Sequence, residues 1–299
     1  MVVRRFKIVL RAARVALFFA RKSGRRALYG QNPRMPSIHP SPVPTPTPPT
    51  VKPQLGTAIL SALAEEQHGL IELLREPRKV RHAGRDFWHG ALHGKPVVLA
   101  VSGIGKVAAA TTTAALIERF GVQRIVFTGV AGGLAEGVQV GDVVVATAFV
   151  QHDLDVSPIF PRYQVPHHGK SRFASDDALT ALLLQASRDM LAQAGEARPF
   201  PQARIHQGLV VSGDRFVSGA EESATLRATL NAAGHAALAV EMEGAAVAQV
   251  CHDYGLPFAS VRTISDRADD SAHVDFTRFV ETVASRYARG IVERFLELL

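Results

Sequence analysis

The sequence predicts an α/β sandwich built on a largely buried sheet. Three observations point there. Short apolar runs such as Val97-Val-Leu-Ala-Val101 recur along the chain, and runs of that length without polar alternation read as strands covered on both faces. Longer amphipathic stretches separate them, which is the alternation of α/β proteins. Glycine-rich turns join strand to helix at Ser102-Gly-Ile-Gly-Lys106 and at Thr128-Gly-Val-Ala-Gly-Gly133. No internal repeat is visible.

The elements follow in order. Residues 56–60 read as a strand and 62–74 as a helix; 87–92 and 97–101 are strands and 107–120 a helix. Residues 125–128 and 142–150 are strands, and 176–194 is helical. A strand at 208–212 precedes a helix at 220–232. Residues 242–254 form a helix in which Ala246, Val250 and Tyr254 repeat every four residues, with Val247 and Cys251 beside them. Gly255 suits the position after its last turn, and Pro257 stops continuation. A strand at 258–264 and a final helix at 276–298 complete the body.

Composition bounds the function. The chain has 299 residues, 47% of them hydrophobic, enough for a large buried core. No run of roughly 18 apolar residues appears, so a membrane-spanning helix is not expected. One cysteine, Cys251, forms no internal disulfide, and a reducing, cytoplasmic compartment is the natural expectation. The formal charge of +7 suggests nucleic acid at first. Ten cations lie within residues 1–34, from Arg4 to Arg34, with no acid among them; the remainder carries −3. The basicity belongs to a tail, and the body gives no reason to expect DNA or RNA.

Three zones result: a basic extension over 1–34, a Pro-rich linker over 35–54 and a globular body over 55–299. The run Pro36-Ser-Ile-His-Pro-Ser-Pro-Val-Pro-Thr-Pro-Thr-Pro-Pro49 holds neither helix nor central strand. The extension reads as a membrane-surface helix, as a targeting peptide, or, blandly, as an unstructured segment or translation called from a start upstream of the true one, Met35 being an internal candidate. The last reading is favoured.

Several motifs carry chemistry. Ser102-Gly-Ile-Gly-Lys-Val-Ala108 matches a dinucleotide fingerprint, but the next strand ends in Thr128-Gly-Val-Ala-Gly-Gly133 without the required acid. It reads better as a tight turn needing no side chains, one that a ligand could also approach closely. Glu65 and Glu66, and likewise Glu241 and Glu243, could simply favour helix N-termini. Asp266 ends a strand and could cap the turn after it. His152-Asp-Leu-Asp155 invites a metal reading without a second ligand set.

Taken together these residues resemble the 5′-methylthioadenosine/S-adenosylhomocysteine nucleosidases of the purine/uridine phosphorylase superfamily. The resemblance spans residues 56–299. Its motifs, in order, are Ser61-Ala-Leu-Ala-Glu-Glu66, Ser102-Gly-Ile-Gly-Lys-Val-Ala-Ala109, Thr128-Gly-Val-Ala-Gly-Gly-Leu134, Val140-Gly-Asp-Val-Val144, His152-Asp-Leu-Asp-Val156, Val211-Ser-Gly-Asp-Arg-Phe216, Val240-Glu-Met-Glu-Gly-Ala-Ala246 and Arg262-Thr-Ile-Ser-Asp266.

The resemblance implies a three-layer α/β/α sandwich around a mixed sheet, hydrolysis of the N-glycosidic bond of adenosine thionucleosides, no metal or organic cofactor, and a homodimer. By position, Glu66 matches the acid that activates water and Asp266 the general acid that protonates adenine. Arg262 matches a residue near the water. Glu243 matches the ribose anchor with Met242 beside it, and Phe216 the ring stacking on adenine with Val217 reading its edge. Ile104 and Phe276 match apolar contacts on the 5′ side, and Ser265 precedes the general acid in the substrate site. Anionic Glu66 and Glu243 would stabilise positive charge on the sugar. Asp266 must carry a proton when substrate binds while Glu66 is ionised, so one site needs two carboxyls in opposite states.

Two departures stand out. Val130 replaces a serine of many relatives, and the loop 157–166 differs from theirs, which leaves the 5′ substituent open. Rival readings are a phosphate-dependent nucleoside phosphorylase, a non-catalytic nucleoside-binding protein and an NAD-dependent oxidoreductase. Glu66 would repel phosphate, and no arginine enters the 128–133 turn directly.

Overall fold

The computed structural model describes residues 56–299 except 196–198, 270–271, 273–275 and 277–278. The basic extension and the Pro-rich linker lie outside the described residues. Among the described residues ten strands form one mixed sheet. Strand β1 (Thr57–Ser61) runs parallel to β4 (Lys95–Val101) on one side and β5 (Arg124–Gly133) on the other. Beyond β4 come β3 (Arg85–Leu92) and the edge strand β2 (Arg75–His82), both antiparallel.

On the other side the sheet curls into a ring. β10 (Phe258–Asp266) is parallel to β5 and antiparallel to β6 (Val143–Gln151), which also pairs with the short β7 (Phe173–Ala174). β6 is parallel to β8 (Ile205–Ser212), and β8 to β9 (Ala237–Glu241). β9 returns antiparallel to the end of β5, pairing Gly132 with Val240. The ring gathers the ends of β5, β9 and β10 into one place.

Helices cover both faces, as the sandwich requires. α1 (Lys106–Phe120) and α4 (Gly244–Tyr254) bury Ala109, Leu116, Phe120, Val247 and Cys251 against Phe87, Phe149 and Phe258. On the opposite face α2 (Asp177–Ala194) packs Leu179, Leu183 and Ala186 against α5 (Ser285–Leu298) and the sheet. α5 buries Tyr287, Ala288, Ile291, Val292, Phe295 and Leu296, the spacing of one helical face, and a π-helical turn over Val280–Ala284 leads into it. α3 (Ala220–Ala232) lies outside, with Leu230 its buried residue.

The differences from expectation have local causes. Residues 62–74 are a turn with one 3-10 segment, Glu65–Gln67, not a helix. There the Glu66 carboxylate takes the N–H groups of Ala62 and Leu63, and the Gln67 amide donates to Ile59 O and Ala100 O. Helix α4 begins at Gly244 rather than 242, because β9 runs to Glu241 and Glu243 has a non-helical φ of −135°. Its end matches: Gly255 is left-handed, and the N–H of Leu256 bonds Cys251 O at 2.8 Å. Strands β2, β7 and β9 do not follow from the sequence pattern. β2 is almost wholly exposed and polar, so it has no apolar run to betray it.

Candidate active site

A cavity of about 420 Å³ opens at the carboxyl ends of the strands, the usual ligand position in α/β sheets. The turn after β1 supplies Ala62, Leu63 and Glu66, and the end of β5 supplies Val130, Ala131 and Gly132. The end of β9 and the step into α4 give Val240 to Glu243, and β10 gives Ser265 and Asp266. Ile104, Arg215, Phe216, Val217 and Phe276 complete the wall.

Glu66 is 2% exposed and fixed by three backbone donors. Oε2 accepts from Ala62 N at 2.8 Å and Leu63 N at 2.9 Å, and Oε1 accepts from Val130 N at 3.0 Å. Burial pushes the carboxyl above its ordinary value, while the three N–H groups and the charge of Arg262 pull the other way. The result is a buried acid poised as a stronger base than a surface glutamate. The carboxylate is packed against β5: a Cβ on Gly129 would sit 2.8 Å from Oε1 and 3.2 Å from Arg262 Nη1.

Arg262 lies beneath the cavity rather than on its wall. It is 1% exposed, its guanidinium stacks on the Phe127 ring at 3.9 Å, and Nη2 meets Glu241 Oε2 at 2.8 Å. Glu241 is equally buried. Its carboxylate accepts from the N–H groups of Glu243 and Gly244 and from Ser212 Oγ, whose oxygen accepts in turn from Ala245 N at 2.7 Å. One acid thus neutralises the arginine and caps helix α4.

Glu243 has a partner of its own. Its Oε1 accepts from Gly105 N at 2.8 Å, so the glycine turn after β4 brings a backbone donor to a carboxyl. Burial first, then the neighbouring Glu241, push Glu243 from an ordinary 4.5 up to about 8. Asp266 is 1% exposed; Oδ1 accepts from Ala268 N at 2.8 Å and Oδ2 from Ser265 Oγ at 2.8 Å. Phe216 and Phe276 meet edge to face at 5.6 Å over the mouth.

The cavity therefore brings together Glu66, Asp266, Glu243, Met242, Phe216, Val217, Ile104, Phe276 and Ser265. Arg262 is placed behind them, paired with Glu241. The chain matches the family model of the phosphorylase superfamily over residues 56–297. It is 37% identical to the 5′-methylthioadenosine/S-adenosylhomocysteine nucleosidase of Actinobacillus succinogenes over 241 residues, 80% of this chain and 98% of that one. The chain belongs to that nucleosidase family.

Solved structures agree. The Neisseria meningitidis nucleosidase in complex with methylthio-immucillin-A superposes with a TM-score of 0.73 at 38% identity, covering 82% of this chain and all of that one. A futalosine hydrolase mutant of Helicobacter pylori gives 0.72 at 32% identity, covering 82% and 99%. Within this nucleosidase-family fold, the three-layer mixed-sheet sandwich expected from the sequence is the architecture observed.

Some of the site was not legible in the sequence. The pairing of Glu241 with Arg262 and Ser212 joins residues far apart in the chain, and only the Glu-Met-Glu spacing hinted at two jobs. The N–H groups of Gly105 and Val130 leave no side-chain signal. The dinucleotide-like turn instead presents its N–H groups to Glu243 and to Asp214, whose Oδ1 accepts from Lys106 N at 2.7 Å. The His152-Asp-Leu-Asp155 segment lends Asp153 to Lys106 at 2.5 Å, while buried His152 packs against Gly213.

Proposed function

We propose that the chain hydrolyses the N-glycosidic bond of 5′-methylthioadenosine and S-adenosylhomocysteine, releasing adenine and the thioribose. The observation that carries this reading is the setting of Glu66, Glu243 and Asp266 around one apolar-walled cavity with an aromatic ring at its mouth. The adenine lies against Phe216, its edge toward the backbone of Val217. Glu66 takes a proton from water as the water oxygen bonds C1′. The C1′–N9 bond breaks as Asp266 delivers a proton to N7, so adenine leaves neutral. Ser265 and Ala268 fix the Asp266 carboxyl through its two oxygens. Met242 packs beside the sugar, and Ile104 and Phe276 face the 5′ group.

The electrostatics refine the sequence-based picture of two anions facing the sugar. Glu243, held near 8, enters neutral at neutral pH and both donates to and accepts from ribose hydroxyls. Glu66 is raised by burial as well, but three N–H groups and Arg262 draw it toward the ionised form, in which it faces the developing oxocarbenium. Arg262 cannot serve as an anion clamp, because Glu241 already neutralises it. This favours water over phosphate as nucleophile, and Val130 adds an apolar wall beside Glu66.

The same reading carries a homodimer and a cytoplasmic location. Exposed Ile104, Val107 and Ile159 are apolar surface suited to a second copy, and the lone cysteine is buried. Similarity to the Helicobacter futalosine hydrolase supports a wider range of 5′ groups. Steady-state adenine release decides the reading, measured for methylthioadenosine, S-adenosylhomocysteine, 5′-deoxyadenosine and aminofutalosine with and without phosphate. Turnover without phosphate is expected. Strict phosphate dependence with a ribose 1-phosphate product refutes it. Glu66→Gln and Asp266→Asn are each expected to lower kcat by ~10²–10⁴-fold; unchanged turnover in either removes that residue's role.

A further inference from the structure

Lys106, Asp153 and Asp214 close a ring of side-chain and backbone hydrogen bonds beside the cavity that the hydrolysis does not use. The Lys106 ammonium meets Asp153 Oδ1 at 2.5 Å; the other oxygen, Oδ2, accepts from Asp214 N at 2.9 Å; and Asp214 Oδ1 accepts from Lys106 N at 2.7 Å. The three residues come from different places: the first turn of α1, the loop after β6 and the segment after β8. Lys106 also donates to Gln151 Oε1 at 3.2 Å, and the Gln151 amide donates to Gln249 of α4 at 2.8 Å. Asp153 keeps its pKa below the ordinary value despite burial, through Lys106 and the Asp214 N–H, so the ring persists across the neutral range.

The ring's position gives it a task. Ile104 and Gly105 immediately precede Lys106, and Phe216 follows Asp214 by two residues. Ile104 and Phe216 are both lining residues of the cavity, and the Gly105 N–H is the donor to Glu243. Tying Lys106 to Asp214 therefore fixes the apolar 5′ lip against the purine platform, and fixes the donor on the ribose-facing carboxyl as well. Glu66 and Asp266 are held by other groups, on the β1 turn, β5 and the turn after β10.

We propose that Lys106, Asp153 and Asp214 are positioning residues that set the aperture of the nucleoside cavity and hence its affinity, with the acids that break the bond left in place. The inference rests on the nucleosidase reading of the site. It separates binding from chemistry in a way that a residue merely supporting the fold would not.

The test is a double-substitution cycle with Asp153→Asn, which keeps size and an acceptor, and Lys106→Met. Each single variant is expected to raise KM for methylthioadenosine roughly tenfold with kcat within roughly threefold of the unmutated protein. The double variant is expected to match the more impaired single rather than the product of the two, a coupling of roughly tenfold. Calorimetric binding of adenine is expected to weaken in parallel. KM within twofold in both singles, effects that multiply, or a loss carried by kcat would overturn the proposal. If Lys106→Met does not fold, Asp214→Asn, with its side chain 50% exposed, provides the second arm. If the unmutated protein releases no adenine, the hydrolase reading fails, and adenine affinity across the same variants still decides the ring's role.

Discussion

Gly129→Ala displaces the proposed base without removing it. Gly129 lies within β5, paired with Arg262, and is not among the positive-φ glycines, so alanine suits its backbone. The new methyl would stand 2.8 Å from Glu66 Oε1 and 3.2 Å from Arg262 Nη1, whereas ordinary contact begins near 3.4 Å. The carboxylate oxygen must retreat by about 0.6 Å, since 3.4 less 2.8 is the shortfall. Oε1 is tethered to Val130 N at 3.0 Å and Oε2 to two further N–H groups, so the retreat stretches at least one of these bonds. Misplacement of a reacting group by ~1 Å costs ~10²-fold; at this displacement kcat should fall roughly 10- to 100-fold. Overpacking should cost about 1–3 kcal/mol of stability, read as a lower Tm. The assay is initial-rate adenine release from methylthioadenosine, with calorimetric adenine affinity as control. Adenine affinity should be unchanged, because Phe216 and Val217 do not neighbour Gly129. A folded variant with kcat within twofold of the unmutated protein would refute the argument that Glu66 acts from this position.

Two further predictions concern charge. Glu243 is raised from 4.5 to about 8 in the folded chain. Between those values the folded state holds a proton that the unfolded state has lost, so stability is greatest below about pH 4.5 for this group and declines until about pH 8. Glu243→Gln should flatten part of that decline when Tm is compared between about pH 5 and about pH 8.5; parallel curves would show that Glu243 is not raised. Glu241→Ala strands the buried guanidinium of Arg262 and strips two N–H groups at α4 of their acceptor. It should cost about 3–5 kcal/mol, and Glu241→Gln much less, in urea denaturation. Equal midpoints for the two variants would show that the ion pair contributes little.

The sequence was most informative where one physical rule acted alone. The end of α4 follows from Gly255 and Pro257, and α1, α2 and the apolar strands follow from periodicity. It was least informative where side chains override local pattern. The segment from Ala62 to Leu74 looks helical, yet the Glu66 carboxylate takes the N–H groups of Ala62 and Leu63, and the Gln67 amide ties the turn to carbonyls of β1 and β4. Strand β9, Ala237–Glu241, is short and alanine-rich, and it exists because β8 and β5 pair with it. The acids were visible as residue types; their different states were not, because these depend on which backbone donors and which arginine burial brings beside them. The likeness to the nucleosidases supplied roles for Glu66, Glu243 and Asp266, while the part played by Glu241 emerged only from contacts distant in sequence.

The exposed strand β2 has a consequence for the behaviour of the protein in concentrated solution. Among the described residues the ring closes on itself with only the two-residue β7 appended, whereas β2 borders the opposite end and has β3 as its partner strand. Such a border is a template for another chain's backbone, and the sequence Arg75-Glu-Pro-Arg-Lys-Val-Arg-His82 blunts it. Pro77 lacks a donor, the register breaks between Arg75 and Arg78, and Arg75, Arg78, Lys79 and Arg81 give the strand repelling charge. The strand that contributes least to the core thus guards the whole sheet against fibrillar association.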